Sequence, residues 1–357
     1  MVRIDPDAAV SQGPFPLLID EWQVVPEVLG AIKRAVDEDN SPGRFILTGS
    51  TQADLTAAGW PATGRLIRLP MYGFAEAELA GKRHSRFLDR LLTLDTAQFP
   101  TPTDAPDIRG YLARALRGTF PETALSQSDS FRHRWLASYI DQLVSRDASL
   151  VGSVRDPMRL RRYLQVLASC TAGIPTTKTL IDTAGIGRES ASAYDALLEQ
   201  LMITERIPAW SSNRLNRLIR LPKRYLVDPA FVGPLLGVDV RAVMRDDDLL
   251  GRVLDSFVVA QLRALCAVRD DPPRLFHVRD TNGRREVDIL LEFSDGRVAG
   301  IEVKASAAPG HDDARHLRWL RDSVGDRFLA GAVLHTGPRP FRLDDSILAL
   351  PVYSLWS

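Results

Sequence analysis

Two groups of residues in this chain have the types and spacing that could do chemistry. In the first, the apolar run Phe15-Pro16-Leu17-Leu18-Ile19 ends in adjacent carboxylates, Asp20 and Glu21. A short continuous apolar run reads as a strand buried on both faces of a parallel sheet, and an Asp at its carboxyl end lies where such sheets bind ligands. In nucleotide hydrolases that Asp holds Mg²⁺ through bound waters, and the following Glu orients or deprotonates the attacking water. The plainer alternative is a strand whose trailing acids cap the next helix. In the second group, Glu302 and Lys304 lie two apart on one predicted strand, and Asp288 lies on the strand before it. Strand alternation puts Glu302 and Lys304 on one face, where Asp288 can meet them. A lysine buried with two acids is costly unless all are paired, so the alternative here is a satisfied ion-pair cluster.

The elements around Asp20 alternate between strand-like and helix-like. Val25, Val28, Leu29, Ile32 and Val36 recur at helical spacing and predict an amphipathic helix over residues 26–39, ended by Ser41-Pro42-Gly43. Residues 44–50 predict a second buried strand with Thr48 at its carboxyl end, facing the same crevice as Asp20. A helix over 51–57, a strand over 65–69 and a helix over 74–80 continue the pattern, which points to an α/β class with a parallel sheet. Residues 86–150 turn helical and Arg-rich, with a Pro/Thr/Asp linker at 100–106. Over 157–228 three helices precede an apolar hairpin, the plan of a winged helix. That hairpin carries Arg206, Arg214, Arg217, Arg220, Lys223 and Arg224 against Glu205 and Asp228, an excess that suits phosphate contacts. A solvated Arg-rich hairpin, or one that contacts another domain, is the alternative.

The chain has 357 residues, enough for two or three domains with their own cores. Its 45 basic and 45 acidic residues balance, so any field that attracts nucleic acid must be local. Lys304 is one of only five lysines in an Arg-dominated chain. Two lone cysteines, Cys170 and Cys266, argue against a disulfide framework and for a reducing compartment. No secretory signal and no membrane-length apolar run is seen, so the expected location is cytoplasmic.

From Leu17 to Leu79, the Leu-Leu-Ile-Asp-Glu-Trp run, Arg-Phe-Ile-Leu-Thr-Gly-Ser, Gly64-Arg65 and Phe74-Ala75-Glu76 resemble the predicted bacterial and archaeal ATPases of the AAA+ superfamily. In that family an ATPase domain is followed by a winged helix and a C-terminal domain of unknown function. The resemblance implies ATP and Mg²⁺ as cofactors, Asp20 and Glu21 as the Walker B pair, Thr48 as the sensor and Arg65 as an arginine contact to phosphate. It divides the chain into a partial parallel-sheet ATPase core at 1–85, a helical lid at 86–150, a winged helix at 151–235 and a C-terminal domain at 236–357. That last domain, with Asp288 followed by Glu302-Val303-Lys304, resembles the PD-(D/E)XK nuclease core. The resemblance implies that Asp288 and Glu302 bind Mg²⁺, that Asp255 on the preceding helix completes the set, and that Lys304 positions the attacking water. The departure is the phosphate-binding loop: no Gly-x-x-x-x-Gly-Lys-Ser/Thr occurs, and Gly81-Lys82-Arg83 follows a helix. The expectation is a chain whose true start lies upstream, with a degenerate ATPase domain as the alternative. The leading function is thus an ATP-binding AAA+-like protein coupled to a nuclease-like domain. The alternatives are a Mg²⁺-dependent DNA nuclease with a vestigial ATPase domain and a non-enzymatic DNA-binding regulator. The partners expected are DNA, through the wing, and further copies of the chain as a homo-oligomer, with no membrane.

Overall fold

The computed structural model describes residues 4–11, 13–49, 65–82, 85–147, 156–213, 217, 220–280 and 283–357. The chain divides into two compact units, residues 1–70 with 196–202 and residues 71–195 with 203–357. The first contains α1 (Pro6–Ser11), β1 (Leu17–Ile19), α2 (Val28–Glu38) and β2 (Phe45–Leu47). β1 and β2 are parallel and in register, Leu17 against Phe45 and Ile19 against Leu47. The apolar stripe of α2 explains the packing: Val28, Leu29, Ala31 and Ile32 are buried with Val10, and Leu17, Ile19, Phe45 and Leu47 pack on them.

Two expectations are corrected in this unit. The strand at Leu17 is buried on one face rather than two, since Leu18 is 60% and Ile46 48% exposed. Among the described residues, α1 and α2 cover one face of this pair, and the alternate side chains Leu18 and Ile46 face outward. Residues 65–69 form no strand. They have no neighbour in a ladder, and Ile67 and Leu69 are exposed. The expected helix at 74–80 shortens to Glu76–Leu79, and the one expected at 51–57 lies outside the described residues.

The second unit begins with short helical turns and then runs through α3 (Ile108–Arg117), α4 (Asp129–Gln142), α5 (Pro157–Ser169), α6 (Thr177–Ala184) and the first part of α7 (Arg188–Gln200), which the division cuts after Asp195. Several starts are fixed by side-chain caps: Asp107, Ser128, Asp156 and Thr176 each accept a backbone N–H of the following turn. The hairpin of β3 (Thr204–Ile207) and β4 (Lys223–Leu226) follows, antiparallel with Thr204 opposite Leu226. Next come α8 (Asp247–Ala267), β5 (Arg274–Arg279), β6 (Glu286–Glu292), β7 (Val298–Val303), α9 (Arg315–Val324), β8 (Phe328–His335), β9 (Phe341–Asp344) and β10 (Ile347–Pro351).

β5 to β10 form one sheet in the order β5-β6-β7-β8-β10-β9. The inner strands β7, β8 and β10 are parallel, and β5, β6 and β9 join antiparallel. The near-continuous apolar sequences of β8 and β10 match their burial in the sheet centre. α8 and α9 both pack on this sheet. Leu317 and Leu320 of α9 join Val287, Leu290, Val298, Val333 and Ile347 in the core. α9 sits so close that a Cβ on Gly300 would lie 2.7 Å from Leu317 Cδ2. A larger residue at that point of β7 has no room.

Candidate functional site

The N-terminal acids stand at the carboxyl ends of β1 and β2. Because the strands are parallel and in register, Asp20 and Thr48 emerge side by side, and the Thr48 hydroxyl donates to Asp20 Oδ1. The Thr48 N–H donates to the Ile19 carbonyl at 3.0 Å, which carries the ladder up to this pair. The Glu21 N–H donates to Asp20 Oδ1 at 3.1 Å. Glu21 itself is left-handed, with φ 49° and ψ 46°. A residue with a Cβ pays about 1–2 kcal/mol for that geometry, and here it turns the Glu21 carboxylate onto the Gln23 amide. Both acids are exposed. Arg65 does not reach them: its guanidinium pairs with Asp37 of α2 at 2.7 Å. The residues present fit the metal side of a nucleotide site, while the sequence supplies no glycine-rich cradle for the phosphates.

The C-terminal group is brought together by three elements. α8 supplies Asp255, β6 supplies Asp288, and β7 supplies Glu302 and Lys304. The β6–β7 ladder ends at Ile289 and Ile301, and the Val303 N–H then donates at 3.0 Å to Asp288 Oδ2. Lys304 Nζ donates to Glu302 Oε2 at 2.9 Å. Glu302 is 2% exposed. Its Oε1 has no hydrogen-bond partner, and His316 Nδ1 lies 3.7 Å from it.

A fourth element enters this cluster. Lys223 of β4, also 2% exposed, reaches between the two aspartates. Its Nζ donates to Asp255 Oδ2 at 2.6 Å and to Asp288 Oδ1 at 3.2 Å. Tyr225, two residues on and so on the same face of β4, donates its hydroxyl to Asp255 Oδ1 at 3.1 Å. Burial works against the Lys223 ammonium, but the negative charges of Asp255 and Asp288 prevail and its pKa lies well above the ordinary value. Burial pushes Asp255 up to about 6 despite Lys223. Burial, with the charge of Asp288 added, pushes Glu302 up to about 7 against the pull of His316 and Lys304. Burial opposes ionisation of Asp288 too, yet Lys223 and the Val303 N–H hold it below the usual range. Three carboxylates here face two ammoniums, so one negative charge is left over, and burial makes that charge expensive.

As arranged, these residues do not fit Mg²⁺. Both oxygens of Asp255 and both of Asp288 are taken by protein donors, and the position between them holds an ammonium. Among the described residues no three His, Cys, Asp or Glu side chains gather closely enough to hold a metal ion.

The remaining hairpin cations are also engaged within the protein. Arg224 pairs with both oxygens of Asp195 at 2.7 and 2.8 Å, and Arg206 meets the same carboxylate at 3.1 Å. Arg217 forms a two-pronged pair with Glu292 at 2.7 Å on each side, and the Trp210 indole donates to Glu292 as well. Arg220 donates to the Arg279 carbonyl at 2.6 Å. Arg214 lies outside the described residues. The sequence placed Lys223 among phosphate-facing cations, and it marked neither Tyr225 nor Glu292. The signal that could have found Lys223 was its type: it is a rare lysine in an Arg-rich segment, two residues before a tyrosine on the same strand.

Comparison with known proteins finds three family matches. Residues 6–80 match the family described as an AAA domain, residues 108–242 a domain of unknown function (DUF8612) and residues 250–355 another (DUF4143). Two curated relatives are the uncharacterized proteins Mb2031c of Mycobacterium bovis and Rv2008c of Mycobacterium tuberculosis. Each is 28% identical over 349 residues, which cover 97% of this chain and 70% of the relative. No solved structure matches. The matches at both ends support an AAA-like ATPase family, which makes ATP and Mg²⁺ plausible cofactors. Among the described residues no helix is long and apolar enough to cross a membrane.

Proposed function

We propose that this chain is an AAA+-like ATPase-family protein, in which Asp20, Glu21 and Thr48 face a Mg²⁺-bound nucleotide and a winged helix couples that unit to a nuclease-like C-terminal domain. The observation that carries the reading is the bond from Thr48 to Asp20 across two parallel strands. A sensor hydroxyl and a Walker B carboxylate have to meet at the carboxyl ends of adjacent strands, and these two do. A bound nucleotide would supply the phosphoanhydride to be cleaved. Asp20 would hold its Mg²⁺ through water, Thr48 would hold the Asp20 carboxylate in place through their hydrogen bond, and Glu21, now on the Gln23 amide, would be the residue to orient an attacking water. The segments similar to an AAA domain and to DUF4143, in that order, favour the same reading.

Calorimetric titration of MgATP into the chain tests it. With no glycine-rich loop in these 357 residues the expected affinity is weak, with a Kd of about 1 mM, equivalent to roughly 4 kcal/mol. The binding should require Mg²⁺ and disappear in Asp20→Asn. Binding that is indifferent to Mg²⁺ and to Asp20 would overturn the assignment.

The nuclease-like reading of the C-terminal domain draws on Asp288, Glu302 and Lys304 standing together on β6 and β7, with Asp255 opposite on α8. The space between the two aspartates is filled by the Lys223 ammonium.

A further inference from the structure

We propose that the cleft between α5 and α6 is a binding site for a small free monocarboxylate with an apolar tail, held through its charge by Arg162. The cleft encloses about 360 Å³, and small-molecule sites begin at roughly 300 Å³. It exists because of which side chains meet there. The stripe of α5 made by Leu160, Tyr163, Leu164 and Leu167 is buried in the core. On its other side Val166 and Ser169, with Cys170 just past the helix end, face Thr179, Leu180 and Thr183 of α6. Serine, cysteine and threonine are too short to fill a seam between helices whose axes stand about 8–10 Å apart. Leu180 is buried and Val166 half-buried, so the floor is apolar, while Ser169, Thr179 and Thr183 are exposed at the opening.

Charge selects the head group. α5 carries three arginines close together. Arg159 pairs with Asp156 at 3.1 Å, and Arg161 pairs with Asp141. Arg162 lines the cleft, and among the described residues it meets no carboxylate: its Nη2 donates across the seam to the Thr183 carbonyl at 3.3 Å. A long bond to a neutral carbonyl leaves the guanidinium charge uncompensated, and its remaining N–H groups suit a carboxylate. The nearby acid on α6, Asp182, is taken by Lys178. Other polar groups of the lining are engaged: Gln165 Nε2 donates to the Leu235 carbonyl at 3.1 Å, the Ser169 hydroxyl to the Gln165 carbonyl at 3.0 Å, and the Thr179 hydroxyl shares a bond with Thr176 at 2.8 Å. Arg162 brings one positive charge to the cleft, which a monocarboxylate balances and a phosphate dianion exceeds. The tail of such a ligand covers Val166, Leu180 and the Cys170 thiol, which donates to the Val166 carbonyl at 3.0 Å.

The site is independent of the nucleotide and nuclease-like readings, and Cys170 gives it a readout of its own. Cys170 is partly exposed, whereas the other cysteine, Cys266, is buried with its thiol pushed up to about 12. Alkylation of Cys170 in the full chain by iodoacetamide, at mildly alkaline pH and followed by mass spectrometry, is measured with octanoate, octanol or octylamine present. Saturating octanoate should slow the reaction at least about tenfold and octylamine should leave it unchanged. Arg162→Gln should weaken the protection by octanoate about tenfold without altering that by octanol. Ser169→Trp, at an exposed position, fills the opening and should remove both. Alkylation that octanoate does not slow, or equal protection by octanoate and octylamine, would overturn the site in the wild-type chain alone. Protection by octanoate that persists undiminished in Arg162→Gln would overturn the assignment of the carboxylate to Arg162.

Discussion

At the scale of single residues, the energetics of the C-terminal cluster turn on the ammonium of Lys223. Removing one partner of a buried pair leaves an uncompensated charge, so Lys223→Ala should destabilise the protein by about 3–5 kcal/mol. Adding Asp255→Asn to that variant should recover part of the loss, because the two share one interaction. Denaturant unfolding of both single variants and the double variant measures the coupling; additive losses would mean that the pair does not act as a unit. His277 gives a pH dependence with a definite sign. Burial lowers its pKa from 6.5 to about 4, so the folded state holds it neutral. Stability from that group is present above pH 6.5 and lost as pH falls through about 4, on the order of 3 kcal/mol. Thermal unfolding between pH 7 and 4 should therefore show a falling midpoint, and His277→Gln should flatten that slope.

At the scale of elements, the described cations of the hairpin are engaged by groups of neighbouring elements within the same compact unit. Arg217 meets Glu292 with two bonds, and neither side chain is more than 13% exposed. Arg217→Ala should cost about 2–3 kcal/mol, more than an exposed arginine, and a thermal or denaturant scan checks this. With Arg206, Arg217, Lys223 and Arg224 spent on carboxylates, DNA affinity should vary little with salt, with a logarithmic slope no steeper than roughly −2. A steep slope measured by fluorescence anisotropy would show that these pairs open to phosphate. Much of this level was legible in the sequence. The apolar spacing of α2, the parallel strands ending in Asp20 and Thr48, and the alternation that groups Glu302 with Lys304 follow from local pattern. What was not legible depended on partners distant in sequence. The run at Leu17 reads as fully buried, but burial is decided by how many layers cover a sheet. Residues 65–69 have strand-like residues and no strand to pair with. Lys223 looks like one more surface cation until α8 and β6 bring Asp255 and Asp288 to it from 32 and 65 residues away.

At the scale of the whole molecule, an N-terminal unit similar to AAA domains and a C-terminal domain with an acid–lysine cluster share one chain. The nucleotide reading makes a local claim about β1 and β2. Thr48→Val should change stability by no more than about 0.5 kcal/mol, since the pair is solvent-facing, yet it should weaken MgATP binding by loosening Asp20. Hydrogen exchange at residues 17–21 and 45–49 of the full chain, with MgATP and with ATP plus a chelator, is the most direct measurement. Slowed exchange at both segments with MgATP alone, absent in Asp20→Asn, is the result predicted. Exchange unchanged by MgATP, or slowing that persists in Asp20→Asn, would contradict the assignment of Asp20, Glu21 and Thr48 to a nucleotide site.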